Sequence, residues 1–144
     1  MSHFKTVMVS GHTDLTEDEF NKYYKPRLDE YIKQGCSFIV GGASGCDEMT
    51  QKYLANIEAD VTVYDKGNQH NVHSNRYKHV NGFESYPLRD KTMTENSDLD
   101  LAFPRQNGGA GSGTWANILR RKYGHDFAQE LIKLARKEFM EYNN

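Results

Sequence analysis

Phe38-Ile-Val-Gly-Gly-Ala-Ser-Gly-Cys-Asp-Glu-Met49 reads as an apolar strand that enters a glycine-rich turn and opens into a helix. In such a strand–turn–helix context, backbone N–H groups and the positive end of the helix dipole converge on one place, where a phosphate or another anion can be held. Gly42, Ala43, Ser44 and Gly45 are therefore candidate ligand contacts. Asp47 has two compatible readings. It can serve as an N-cap for orphan N–H groups, or as an acceptor for a sugar hydroxyl, since a carboxylate beside a phosphate would repel it. Met49, Tyr53 and Ile57 recur every four residues, so the helix starting near Asp47 packs that face on a sheet.

Upstream, Lys5-Thr-Val-Met-Val9 is rich in β-branched residues and reads as a buried first strand. Ser10, Gly11 and His12 follow it directly. The carboxyl end of such a strand faces the ligand crevice of an open α/β sheet, so all three are candidate contacts, with Gly11 as a simple turn residue the bland alternative. Thr16 and Glu19 have capping-box spacing, and Leu15 and Phe20 have staple spacing, which start a helix at Thr16. Phe20, Tyr23, Tyr24, Leu28, Tyr31 and Ile32 continue with helical period, and Pro26 kinks that element or starts a second helix. Gly35 ends it.

Downstream, Ala59-Asp-Val-Thr-Val-Tyr64 reads as a third strand. Residues 65–87 are polar and read as a surface excursion or lid; His70, His73 and His79 fall there without a nearby cysteine, and no metal site is expected. Met93 and Ser97 have helical spacing, and Leu99-Asp-Leu-Ala-Phe103 is the fourth strand, closed by Pro104. A glycine-rich loop then leads through Gly111, Ser112, Gly113 and Thr114 into a helix, a second junction of the anion-binding kind. Phe127, Leu131 and Leu134 mark an amphipathic C-terminal helix extending to Phe139.

Strands alternating with helices predict a single α/β domain, a Rossmann-like three-layer sandwich with a mainly parallel sheet. A chain of 144 residues is long enough for such a core. The formal charge of −2 gives no general attraction to nucleic acid. Arg120-Arg121-Lys122 is the one compact basic run, and it reads as a solvated helix face. Two cysteines without CxxC spacing, no signal-peptide pattern and no membrane-spanning apolar run predict a cytoplasmic protein.

Gly41-Gly-Ala-Ser-Gly-Cys-Asp47 resembles the GxAxGxD turn found in the Rossmann-like SLOG superfamily, which includes the DNA-processing DprA proteins, the Lonely-guy (LOG) phosphoribohydrolases and the YspA/YpsA-related proteins. Arg89, Met93, Asp98 and Pro104 fall at the spacing of the Arg, Met, Asp and Pro of the LOG segment that runs into PGGxGTxxE. The order from the Ser-Gly-His turn to the Gly-Thr-Trp helix is most similar to the YspA-like branch. The resemblance implies a nucleotide ligand with Arg89 and Met93 among its contacts. In LOG enzymes and in deoxyribosyltransferases the equivalent of Asn117 is the working glutamate, and the residue after the LOG arginine, a lysine there, is Asp90 here. An amide cannot act as carboxylate nucleophile or general base at neutral pH.

The leading expectation is a binder of a nucleotide or nucleotide-derived ligand held between the two glycine junctions. Its phosphate meets N–H groups of residues 42–45 or 111–114, Arg89 adds charge-assisted bonds, and Asp47 or Asn117 addresses sugar hydroxyls. For Arg89 the alternative is a surface ion pair with Asp90 or Glu95. The enzyme alternative is hydrolysis or transfer at a nucleotide N-glycosidic bond, with Asp47, Glu95 and Asp98 as the available carboxylates. Single-stranded DNA binding, as in DprA, is the third reading. No cofactor is implied, and the surplus of apolar helical surface predicts a homo-oligomer, most simply a dimer.

Overall fold

The computed structural model describes residues 5–105 and 112–142, with side chains to residue 138. Five strands, β1 (Thr6–Val9), β2 (Ser37–Gly41), β3 (Val61–Lys66), β4 (Lys78–Phe83) and β5 (Leu99–Leu101), form one sheet in the order β4-β3-β2-β1-β5. Every ladder is parallel: Val7 lies opposite Phe38 on one side and Leu99 on the other, and Val63 opposite His79. Val7, Met8 and Val9 are all buried, as a central strand covered on both faces requires. The fold is a Rossmann-like α/β three-layer sandwich in one domain.

One face carries α1 (Glu17–Glu19), α2 (Lys25–Lys33) and α3 (Cys46–Leu54), whose Phe20, Tyr24, Leu28 and Leu54 pack on Val7, Phe38, Val40 and Val63. Thr16 starts α1 with a complete capping box, Thr16 and Glu19 each receiving the other's backbone N–H. A π-helical turn, Phe20–Tyr24, carries the chain into α2, where Pro26 sits in the first turn and needs no N–H partner. Pro26 thus opens a second helix, one of the two outcomes expected of it. The other face carries α4 (Tyr86–Glu95) and α5 (Gly113–Tyr123) over Met8, Ile39 and Tyr64. Outside them, α6 (His125–Tyr142) packs Ala128 and Ile132 on Ala116 and Leu119.

Four expectations are corrected. Residues 65–87 are no simple excursion, because they hold β4, an edge strand with exposed Val80. An edge needs one ladder and little apolar cover, so its sequence lacks the strand signature. The β3–β4 connection is fastened to α3: Gln51 Nε2 donates to Gly41 O and Asn71 O, and Tyr77 Oη donates to Gln51 O. The N-cap of α3 is Gly45, at φ +72°, and Asp47 is the second residue of the helix. Gly45 holds a backbone conformation that L side chains rarely adopt. The basic run is not a solvated face. Arg120 is buried, and Arg121 donates Nε–H to Asp100 Oδ2 at 2.8 Å. Finally, the strand after α4 ends at Leu101 and is the fifth, not the fourth.

Candidate functional site

Successive strands step from β1 through β4 in one direction, and the chain then returns to place β5 on the other side of β1. At that reversal the loops after β1 and β5 diverge, and ligands of open α/β sheets bind at the carboxyl ends of such strands. A crevice of about 410 Å³ lies there. From the loops after β1 and β2 it takes Ser10, Gly11, His12, Ala43 and Asp47. From α4 and α5 it takes Arg89, Ser112, Gly113, Thr114 and Asn117. Thr13, Tyr86, Asp90 and Arg136 also line it and escaped the sequence reading. Arg136 comes from a helix far along the chain, so nothing local marks it; Tyr86 and Asp90 flank Arg89 on α4.

Other expected residues lie elsewhere. Met93 is buried against Met8, Ile39 and Tyr64, inside the core. Glu95 closes α4, which runs antiparallel to the strands, and so sits at the amino-terminal edge of the sheet. Asp98 accepts the Thr6 N–H at 2.8 Å, at that same edge. Neither carboxylate reaches the crevice. Gly42 packs against Asp65 and Asn71, Gly45 against the Thr13 backbone, and Ser44 donates Oγ–H to Thr13 O at 3.2 Å. Gly111 lies outside the described residues.

The two glycine junctions differ in what they offer. At the first, Asp47 Oδ2 accepts the Ala43 N–H at 3.2 Å, and the Cys46 N–H goes to His12 O at 3.1 Å. This turn is closed by its own carboxylate. Gly11 is required beside it by close approach, since a Cβ there would lie 2.6 Å from Tyr24 Oη. At the second junction, Ser112 caps α5 by accepting the Trp115 N–H at 3.1 Å. Helix geometry leaves the Gly113 and Thr114 N–H groups without intrahelical partners. Ser10 lines the same crevice: it is 8% exposed, and its buried Oγ has no hydrogen-bond partner among the described residues.

Buried charge runs beneath the crevice. Arg89 binds Asp90 Oδ1 through Nε and Nη2, both at 3.0 Å, and stacks over Tyr86 at 4.9 Å. The ion pair anticipated for Arg89 thus forms, but inside the protein. Burial pushes the Asp47 carboxyl up to about 7 against the opposing pull of Arg89 and the Ala43 N–H. Asp90 is raised by burial as well, with Arg89 opposing. His12 is lowered by burial and by Arg105, whose backbone N–H donates to His12 Nε2 at 3.0 Å. Asn117 accepts Nη1–H from Arg120, and its side chain stands near enough to Asp90 to oppose slightly the rise that burial gives that carboxyl.

Among the described residues, no group of three or more His, Cys, Asp or Glu side chains could hold a metal ion. No helix among them is long and apolar enough to cross a membrane. His79 instead bonds the buried Asp65 at 2.7 Å. What fold and crevice together define is a Rossmann-like domain with a polar site at the reversal of strand order. Comparison with protein-family models, curated proteins and solved structures finds no match to this chain.

Proposed function

We propose that this protein binds a nucleotide or nucleotide-derived small molecule, with the phosphate at the amino end of α5 and sugar hydroxyls toward Asp47. The observation that carries this reading is the buried Ser10 Oγ, which has no hydrogen-bond partner among the described residues and belongs to a residue lining the same crevice as Gly113 and Thr114. A buried hydroxyl without a partner is costly, and a phosphate oxygen beside a helix N-terminus would satisfy it. Asp47 closes the other glycine turn, which disfavours a phosphate there and leaves its carboxyl for hydroxyl donors. The resemblance to the SLOG superfamily supports the same assignment. Calorimetric titration with a panel of nucleoside mono-, di- and triphosphates tests it: sub-millimolar binding weakened by Ser10→Ala is expected. Absence of binding by every nucleoside phosphate at millimolar concentration refutes it.

A second reading is favoured by Asp47 alone. A carboxyl held near 7 in a crevice is suited to general-acid work, such as protonating a leaving base during N-glycosidic cleavage. Free base released from a nucleoside monophosphate, and lost in Asp47→Asn, would support it; release unchanged by that substitution excludes Asp47. Single-stranded DNA binding loses its support, because Arg120 and Arg121 are engaged within the fold. We further propose a cytoplasmic homodimer. Buried free thiols at Cys36 and Cys46 suit a reducing compartment. Exposed Tyr123, Phe127 and Leu134 on α5 and α6 supply apolar surface for self-association.

A further inference from the structure

His12 lines the crevice from the loop after β1, and its backbone is fixed there. Its carbonyl oxygen accepts N–H from Leu15 at 3.2 Å and from Cys46, the first residue of α3, at 3.1 Å. The ring is fixed as well, because Nε2 accepts the Arg105 backbone N–H at 3.0 Å. This bond joins the loops that follow β1 and β5, where the strand order reverses. Its Arg105 end is anchored in turn: the guanidinium binds Glu19 through Nε at 3.1 Å and Nη2 at 2.8 Å, and Asp14 through Nη1 at 2.7 Å.

A backbone N–H only donates, so the Nε2 atom it meets offers its lone pair. A neutral imidazole that accepts at one nitrogen carries its proton on the other, which makes His12 the Nδ1–H tautomer. A proton added at Nε2 would set one N–H against another and break the bond to Arg105. Burial and the Arg105 charge act in the same sense, lowering the His12 pKa against the opposing pull of Asp14 and Glu19.

With Nε2 engaged, any polar contact between this ring and a ligand runs through Nδ1–H, which has no hydrogen-bond partner among the described residues. The contact therefore has one sense: His12 donates, and the ligand atom that meets it accepts. The same sense holds for the Gly113 and Thr114 N–H groups that line the crevice with it. A donor held in place before the ligand arrives loses little freedom when it binds, and a hydrogen bond to an ionised acceptor is stronger than one between neutral groups.

We propose that His12 serves the ligand as a neutral, preset hydrogen-bond donor, its Nδ1–H meeting an acceptor oxygen of the anionic end. This rests on the phosphate assignment above and adds which atom of the Ser10-Gly11-His12 turn reads the ligand, and in which sense. It also sets His12 apart from acid–base work, since the nitrogen that would take up a proton is already bonded to Arg105.

Long-range proton–nitrogen correlation spectra of the isotope-labelled full chain at neutral pH report the tautomer directly, with the His12 ring identified through the assigned backbone. Expected is a neutral ring protonated at Nδ1, whose Nδ1 signal moves when adenosine 5′-monophosphate binds. Calorimetry with the same nucleotide should show a loss of about tenfold in His12→Ala. His12→Asn, whose amide N–H can stand in for Nδ1–H, should recover most of that loss; thermal melting checks that both variants are folded. A ring protonated at Nε2, an Nδ1 signal unmoved by bound nucleotide, full affinity in His12→Ala, or equal losses in the two variants overturns the donor role, while the phosphate assignment still stands on Ser10→Ala. The spectra of the unaltered chain decide the matter even where a variant fails to fold. Failure of adenosine 5′-monophosphate, guanosine 5′-monophosphate and inorganic phosphate to bind the unaltered protein overturns both.

Discussion

The Arg120 guanidinium donates Nη1–H to the side-chain carbonyl of Asn117, one turn earlier on α5. With its carbonyl turned to Arg120, Asn117 lines the crevice beside Asp90 of α4, close enough to act on that carboxyl. A glutamate here would bring a second carboxylate against buried Asp90, so the amide at 117 and the acid at 90 make physical sense as a pair.

Arg120 is the keystone of the outer layer, since it also donates Nη2–H to Gln129 Oε1 and Nε–H to His125 Nδ1, both at 2.9 Å, on α6. Arg120→Met leaves three buried or half-buried acceptors without their donor and should destabilise the fold by about 3 kcal/mol. Denaturant unfolding measures this; a midpoint within error of the unaltered protein contradicts the bridging role.

Asp47 makes stability depend on pH with a defined sign. Its folded pKa, about 7, lies above the unfolded value of 3.8, so the folded state holds the proton more tightly. The stabilisation is complete below the unfolded value and is lost as pH rises through about 7. Asp47→Asn removes this dependence, so relative to the unaltered protein it should gain stability between pH 5 and pH 8, by an amount on the order of 1–2 kcal/mol. Parallel pH–stability curves for the two proteins count against a raised Asp47.

Gln51 fastens the β3–β4 connection, its amide donating to Gly41 and Asn71 and accepting the His73 N–H at 2.9 Å. Gln51→Ala strands these buried groups and should cost about 2–3 kcal/mol. Limited proteolysis of the variant should cut first between residues 67 and 77. Unaltered cutting and melting would return that segment to the status of a loose excursion.

Phe20, Tyr24 and Leu28 are buried within the subunit, whereas Tyr123, Phe127 and Leu134 on α5 and α6 stay exposed and supply surface for self-association. Tyr123 and Phe127 pack ring to ring, 5.2 Å apart, and both are about half exposed. Light scattering should give twice the 16.6 kDa chain mass, and Phe127→Glu should halve it. A mass of one chain for the unaltered protein rules out the dimer.

Much of the fold was legible because it depends on neighbours in sequence. The β-branched runs of β1 and β2, the Thr16–Glu19 box, and the turns after Val9 and Gly41 are local decisions of backbone and burial, read correctly from residue type and spacing. β4 was missed because an edge strand has only one partner and little to bury. Among the anticipated crevice residues, Ser10, Gly11, His12, Ala43, Asp47, Arg89, Ser112, Gly113, Thr114 and Asn117 converge on the site, while Gly42, Ser44 and Gly45 pack beside it and Glu95 and Asp98 end at the opposite edge.

By itself, then, the sequence determined where β1 and β2 end and that a helix follows each, and with them the side of the sheet on which a crevice forms. Which groups that crevice presents was a decision of tertiary structure. Only packing showed that Asp47 closes its own turn and that Asn117 turns its carbonyl to Arg120 beside Asp90. The same holds for Arg136, which arrives from α6, and for Ser10, whose buried hydroxyl has no partner among the described residues. The reason is that hydrogen-bond satisfaction and desolvation are set by all the groups that surround an atom in space, and most of those lie far away along the chain.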